Sequence, residues 1–234
     1  MISTDSRPLL TIITAVKSCD SDFDTTIKSL NRLKQNFELV VVATSSNFQN
    51  AQEKLKIIFK KRYCVLIEEQ SGIYQAFNQG LDAANGELIW FINSGDELVD
   101  APTNLSMPCR IRYTHKGRVY SKLRSLSTGG FYCHNALIFS KNKIRFTLEY
   151  KVASDFLYMI NNAKSDDFPL LKTGLIKYKE GFSGERHRRR DLEIARILFT
   201  ERKYLSSLIF LTVVPLKWIL KYILAQSSYQ PKRC

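Results

Sequence analysis

The first hundred residues alternate short apolar runs with amphipathic stretches. Residues 9–15 (LLTIITA), 38–43 (ELVVVA), 63–67 (YCVLI) and 88–92 (LIWFI) are β-branched or aromatic runs of strand length, each followed by polar or turn-forming residues. Such continuous runs suit strands buried in a parallel sheet. Between them, residues 23–34, 48–61 and 73–84 space their apolar positions at three and four, as in Ile27, Leu30 and Leu33, which predicts helices covering that sheet. Strand, helix, strand, repeated three times, predicts an α/β doubly wound fold with ligands at the carboxyl ends of the strands. Functional residues are therefore expected just after each apolar run.

From residue 101 to 130 the pattern degrades into a Pro-containing polar stretch. A hairpin is expected there, pairing residues 110–113 with 119–123 around His115-Lys116-Gly117, as an excursion from the main sheet. Regular structure returns with a strand at 136–139, a helix at 154–162 capped by Ser154 with Asp155 in its first turn, a strand at 171–176 and an amphipathic helix at 191–203. Residues 204–225 are strongly apolar and close to the length of a membrane span. Pro215 interrupts them, Lys217 and Lys221 charge their second half, and Leu216, Ile219, Leu220, Ile223 and Leu224 share the opposite helical face. An amphipathic helix lying in the membrane interface fits this better than a span, the alternative being a helix pair packed on the domain or on a second subunit. The chain is thus divided into a domain at 1–203 and an apolar, basic tail at 204–234.

Composition narrows the class. With 44% hydrophobic residues, ten Gly, six Pro and a mean hydropathy of -0.19, the chain is neither disordered nor low in complexity. Five scattered cysteines without a CxxC pair argue against a disulfide framework or a structural zinc site and fit a reducing cytosol. The N-terminus lacks the basic, apolar and small-residue series of a secretory signal. Residues 1–100 carry 10 Lys/Arg against 13 Asp/Glu, net -3, whereas residues 101–234 carry 25 against 9, net +16. Phosphate-bearing substrates, anionic lipid headgroups or nucleic acid could meet the basic half, and a merely solvated basic face remains an equal alternative. No RNP, KH or helix-turn-helix signature supports nucleic acid.

The most specific stretch is residues 71–98, SGIYQAFNQGLDAANGELIWFINSGDEL. It opens a helix at Gly72-Ile73-Tyr74, breaks at Asn85-Gly86, and follows a buried strand with Asn93-Ser94-Gly95-Asp96. One carboxylate at a strand end can hold a hard divalent cation while phosphate oxygens and water fill its other positions, although a turn residue or helix cap explains Asp96 equally well.

The segments GIYQAFNQG and ANGELIWFINSGD resemble G-I-Y-D-A-M-N-K-G and A-x-G-E-x-I-x-F-L-N-S-G-D of family 2 glycosyltransferases with the GT-A fold, in particular the bacterial polysaccharide-biosynthesis subgroup. The likeness extends to the opening strand, His134-Asn135, the run YKVASDF and Gly181-Phe182-Ser183. It implies a GT-A type, Rossmann-like sheet flanked by helices, followed here by the amphipathic helical tail. It further implies an inverting transfer from a nucleotide-sugar donor to a glycan or lipid-linked glycan precursor. Asp96 then binds Mg2+ or Mn2+ beside the diphosphate, and Asp155 is the catalytic base. Thr14, Ala15, Thr44, Asn93 and Gly95 line the donor pocket, while His134, Arg186 and Arg188 meet the acceptor or the phosphates. Ala43, Gln70 and Gln75 depart from acidic positions of the family, Ala43 replacing the aspartate that recognises the base. A non-catalytic GT-A scaffold is the rival expectation. With the cysteine pattern of a reducing cytosol and a basic half suited to phosphates and anionic lipids, a cytoplasmic protein peripheral on the inner face of the cell membrane is expected.

A chain ending at Lys203 is expected to stay soluble without detergent and to lose co-sedimentation with anionic vesicles. Aggregation of that truncated chain would assign the tail to the core or to a subunit interface.

Overall fold

The four apolar runs form the parallel half of one sheet. β1 (Leu10–Val16), β2 (Phe37–Ala43), β3 (Arg62–Ile67) and β4 (Leu88–Phe91) lie side by side in the order β3-β2-β1-β4. They are connected by α1 (Ser21–Leu30), α2 (Phe48–Ile58) and α3 (Ile73–Ala83). The computed structural model describes residues 7–123, 132–164, 168–179 and 184–201, with 208, 211 and 212, the side chains of 184–187 excepted.

The second half extends the sheet with mixed directions. It comprises β5 (Glu97–Asp100), β6 (Cys109–His115), β7 (Arg118–Tyr120), β8 (Leu137–Ser140), α4 (Ser154–Asn162), β9 (Leu170–Lys177) and α5 (Gly184–Thr200). The strand order continues from β4 to β8-β6-β9-β5, with β7 hydrogen-bonded to β6. β8 runs antiparallel to β4, and β9 runs parallel to β6.

Four expectations change. The hairpin is present, turning on Lys116 and Gly117 at φ 49° and 74°, but it is no excursion: β6 sits inside the sheet between β8 and β9. Cys109 and Ile111 enter the core while Arg110 and Arg112 alternate outward, the pattern of a half-buried strand. β5, absent from the sequence reading, pairs with β9. Ser154 does not cap α4, because its hydroxyl donates to the Thr147 carbonyl at 2.7 Å. Finally, α5 begins at Gly184, well before the helix expected from residue 191, so Arg186 and Arg188 lie within the helix.

The chain divides into two compact units. The first comprises Met1–Leu123, Tyr132–Glu149 and Ser154–Gly181; the second comprises Arg124–Phe131, Tyr150–Ala153 and Phe182–Cys234. In the second unit the Glu193 carboxylate of α5 accepts the N–H groups of Lys151, Val152 and Ala153 at 3.2, 2.8 and 2.9 Å. Burial opposes ionisation there, yet these donors hold the Glu193 carboxyl below its ordinary range. Apart from Leu208, Leu211 and Thr212, the expected tail helix at 204–225 lies outside the described residues, and among these no helix is long and apolar enough to cross a membrane.

Between β1 and β4 the sheet is locked by a buried carboxylate. Glu38 of β2, 4% exposed, accepts from Thr11 Oγ1 at 2.8 Å and from Asn85 N at 2.6 Å, and Thr11 Oγ1 in turn accepts from Gly86 N at 2.8 Å. Gly86 thereby approaches β1 so closely that an added Cβ would lie 2.5 Å from Thr11 N and 2.7 Å from the Leu10 carbonyl carbon. Backbone cannot rotate aside. Gly86→Ala is therefore expected to lower stability by about 1–3 kcal/mol, read as a lower urea midpoint at unchanged slope. An unchanged midpoint would mean that the Asn85-Gly86 turn can lift off β1.

Candidate active site

The carboxyl ends of β1 and β4 meet where the strand order reverses, which is where an open α/β sheet forms its ligand crevice. Beyond β4 the chain turns through Asn93 to Asp96, closed by Asp96 N donating to Asn93 O at 3.1 Å. Gly95 takes φ 97°, a backbone conformation that other residues adopt only with strain, and its N–H donates to Thr26 Oγ1 at 2.9 Å. The Thr26 hydroxyl donates in turn to Asp96 O at 2.8 Å, so α1 fixes the turn from beneath.

Asp96 is fully buried. Its Oδ1 accepts from the backbone N–H of Lys179 at 2.9 Å, and its Oδ2 accepts from Asn93 N at 3.2 Å and from the Asn135 amide. Burial pushes its carboxyl up to about 6 against the pull of these donors. Beside the turn, a cleft of about 440 Å³ is lined by Asp22, Gly95, Lys116, Lys177 and Lys179 among others. Lys179 pairs with Asp22.

Asn135 links this carboxylate to the second one. It belongs to a 3-10 turn, His134–Ala136, whose Asn135 carbonyl accepts from the buried Trp90 indole at 2.6 Å. In that turn His134 Nδ1 lies 3.1 Å from Asp155 Oδ2. Asp155 Oδ1 accepts from Phe156 N at 2.8 Å and faces the Tyr74 hydroxyl at 3.5 Å. An aromatic cluster sets these spacings: Phe146 stacks on Tyr74 of α3 and Tyr158 of α4 at centroid distances of 5.5 and 4.2 Å, and Phe77 meets the His134 ring at 6.3 Å.

Of the residues expected from sequence, the structure joins Asn93, Gly95, Asp96, His134 and Asp155 into one hydrogen-bonded series. Thr14 is buried on β1 with its hydroxyl unpartnered, and Ala15 is half-buried on the same strand. Thr44 follows β2, where its Oγ1 accepts from Asn47 Nδ2 at 3.1 Å, while Asn47 also binds Lys17 O and Cys19 N after β1. Arg188 is exposed on α5 in the second unit, and the side chain of Arg186 lies outside the described residues. Sequence reasoning assigned no role to Thr26, Tyr74, Asn135 or Lys179. Tyr74 and Asn135 stand inside quoted motifs; Thr26 and Lys179 carry no local signal.

Residues 11–103 match the family model described as glycosyl transferase family 2. That segment ends shortly after β5, so it contains Asp96 but neither His134 nor Asp155. No curated protein sequence matches the chain significantly. Among solved structures, TarS 1-349 of S. aureus in complex with UDP aligns with a TM-score of 0.60 at 17% identity, over 82% of this chain and 64% of that one. The same protein with UDP-GlcNAc aligns with a TM-score of 0.59 at 18% identity, over 80% and 66%. The mannosyltransferase PcManGT of Pyrobaculum calidifontis in complex with GDP-Man and Mn2+ aligns with a TM-score of 0.58 at 13% identity, over 97% and 82%. The chain therefore spans slightly less than two thirds of TarS 1-349, and the likeness to all three is one of fold. That fold is the GT-A type.

The acidity of Asp96 generates a signed expectation. Its carboxyl is raised from an ordinary 3.8 to about 6, so the folded state holds more protons than the unfolded state between those values. Stability conferred by the protonated form is present at low pH and lost as pH rises through about 6. In metal-free buffer, wild type should lose stability relative to Asp96→Asn across this window, by at most about 1.4 kcal/mol per pH unit. A pH-independent difference in denaturation midpoint would mean that Asp96 titrates normally.

Proposed function

We propose that the chain is a family 2 glycosyltransferase that moves a sugar from a nucleotide-sugar donor to a glycan or lipid-linked glycan precursor, with inversion at the transferred carbon. The observation that carries this reading is the buried series from Asp96 through Asn135 and His134 to Asp155. It sits in a sheet whose first half matches the family and whose fold recurs in proteins bound to UDP-GlcNAc and GDP-Man.

Inversion needs one in-line displacement: a base takes the acceptor hydroxyl's proton while the nucleoside diphosphate departs. The Asp155–His134 pair supplies the base function. Both Asp155 oxygens are already engaged, which suits a proton-handling role better than attack on the sugar. Lys116, Lys177 and Lys179 give the cleft beside the Asn93 to Asp96 turn the charge to meet phosphate. A carboxylate has about four lone-pair sites, and three of those on Asp96 are taken by N–H donors. One remains, and Asn93 Oδ1 in the same turn is buried without a partner. This set fits Mg2+ or Mn2+ held by Asp96 and Asn93, with phosphate oxygens and water completing its shell. Bound there, the ion supplies positive charge against the leaving diphosphate.

Residues 1–203 form the transferase domain in this reading, and residues 204–234 hold it at an anionic membrane surface on the cytoplasmic side, as the net +16 of the second half suggests. A donor-binding scaffold without turnover is the second reading. Ala43, with no carboxylate at the end of β2, is the feature that favours it.

The two are separated by calorimetry and donor hydrolysis with UDP-GlcNAc and GDP-mannose in the presence of Mn2+. The enzyme reading expects binding and slow hydrolysis in wild type, loss of metal-dependent binding in Asp96→Ala, and retained binding with turnover lowered at least about a hundredfold in Asp155→Asn. Binding without hydrolysis supports the scaffold; no binding of either donor sinks both.

A further inference from the structure

α5 is apolar on one side and mixed on the other. Its inner side buries Ile194, Ala195, Ile197 and Leu198, and the Glu193 carboxylate ties it to the backbone of residues 151–153. The helix is therefore fixed from that side. On the outer side Arg188, Leu192, Arg196 and Phe199, spaced at four, four and three, form one exposed stripe. Leu192 and Phe199 are 63% and 61% exposed. Single apolar side chains in water need no explanation, but large ones repeating along one face of an anchored helix mark a surface that meets something. The carboxylates nearest the stripe are already engaged, Asp191 with Arg190 at 2.9 Å and Glu193 with Arg189 at 3.0 Å. The Arg196 guanidinium lies 5.7 Å from the Tyr150 ring centroid, which keeps its stem along the helix.

We propose that this stripe docks on an anionic lipid bilayer. Leu192 and Phe199 enter the acyl boundary, while Arg188 and Arg196 lay their apolar stems beside them and hold their guanidinium groups at the headgroup phosphates. The proposal rests on the membrane part of the reading above and extends the contact from residues 204–234 onto a folded helix. Charge selects the occupant. A neutral bilayer offers the arginines no opposite charge, and a second copy of the chain would bring the same arginines against one another, whereas anionic headgroups neutralise them. The apolar stretch at 204–225 follows α5 in the chain, and of the residues beyond the helix Leu208 and Leu211 are exposed as well.

The test is co-sedimentation of the full chain with vesicles of mixed phosphatidylglycerol and phosphatidylcholine, and with vesicles of phosphatidylcholine alone, beside the Tm and the oligomeric state of each protein. Arg188→Glu, Leu192→Glu and Phe199→Glu are compared with Lys56→Glu and Ile57→Glu on α2, which are exposed and matched in charge change. Wild type should bind the anionic vesicles at least about tenfold more tightly than the neutral ones. Each α5 substitution should lower that affinity about fivefold or more, while both α2 variants bind as wild type and every Tm is unchanged. Equal losses in the α2 and α5 variants would reduce the effect to net charge and overturn the docking surface. A lowered Tm in Leu192→Glu or Phe199→Glu would mean that the stripe is covered within the chain, and a wild-type dimer that the α5 variants dissociate would mean that a second copy covers it; either overturns the proposal. Wild-type affinity in all three α5 variants would also overturn it and leave the membrane contact to residues 204–234. Indifference of the wild type to anionic vesicles would instead overturn the membrane reading itself.

Discussion

A single carboxylate without access to water, that of Asp96, holds together the part of the molecule where chemistry is expected. Burying such a group is unfavourable unless donors replace its hydration, and Asp96 draws one from its own turn after β4 and two from distant places, the 3-10 turn before β8 and the chain just past β9. Each bond joins a segment that also has an anchor of its own: Thr26 beneath the turn, the Trp90 indole at the 3-10 turn, and Tyr178 N on the Thr114 carbonyl beyond β9. Through Asn135 the carboxylate sets the position of His134, and through His134 that of Asp155. Burial pushes the Asp96 carboxyl up to about 6 in spite of these donors, so the centre is held in a state responsive to added positive charge.

A second constraint works from the apolar side. Phe146 stands between α3 and α4 with its ring nearly parallel to Tyr158, at an interplanar angle of 7°, while Phe91 and Phe139 close the cluster against the sheet. Aromatic faces pack at fixed separations and tolerate little sliding. The polar atoms carried by those helices, the Tyr74 hydroxyl and the Asp155 carboxylate, inherit this fixed spacing. The network and the cluster are two sides of one device, since one supplies direction and the other supplies distance.

The parallel half of the fold was legible because strands buried on both faces must be apolar throughout, as ELVVVA and LIWFI are. β6 was misread for the opposite reason. Its arginines alternate with Cys109 and Ile111, so its hydropathy is that of a surface hairpin, and its parallel partner β9 lies sixty residues further along the chain. β5 is four residues long and carries two acidic ones, too little pattern to detect. Ser154 looked like a cap because the residue type is a good one, but its hydroxyl faces the Thr147 carbonyl, a tertiary choice with no local sign. At the site, Asp96 and Asp155 were visible through their motifs. Thr26 and Lys179 were not, because what matters about them is one backbone or hydroxyl bond across 70 or 83 residues of chain.

That span has a consequence for how the protein comes into being. The first four strands can emerge and pair while the rest of the chain is still being made, because β1 to β4 are connected by short helices. Asp96 is synthesised with them, yet one of its donors, Lys179, follows 83 residues later. Until β9 leaves the ribosome, the carboxylate lacks a bond it needs and remains in contact with water. The nascent domain therefore matures from its scaffold toward its chemistry, and a break in translation after β5 would release a plausible sheet with an unfinished centre.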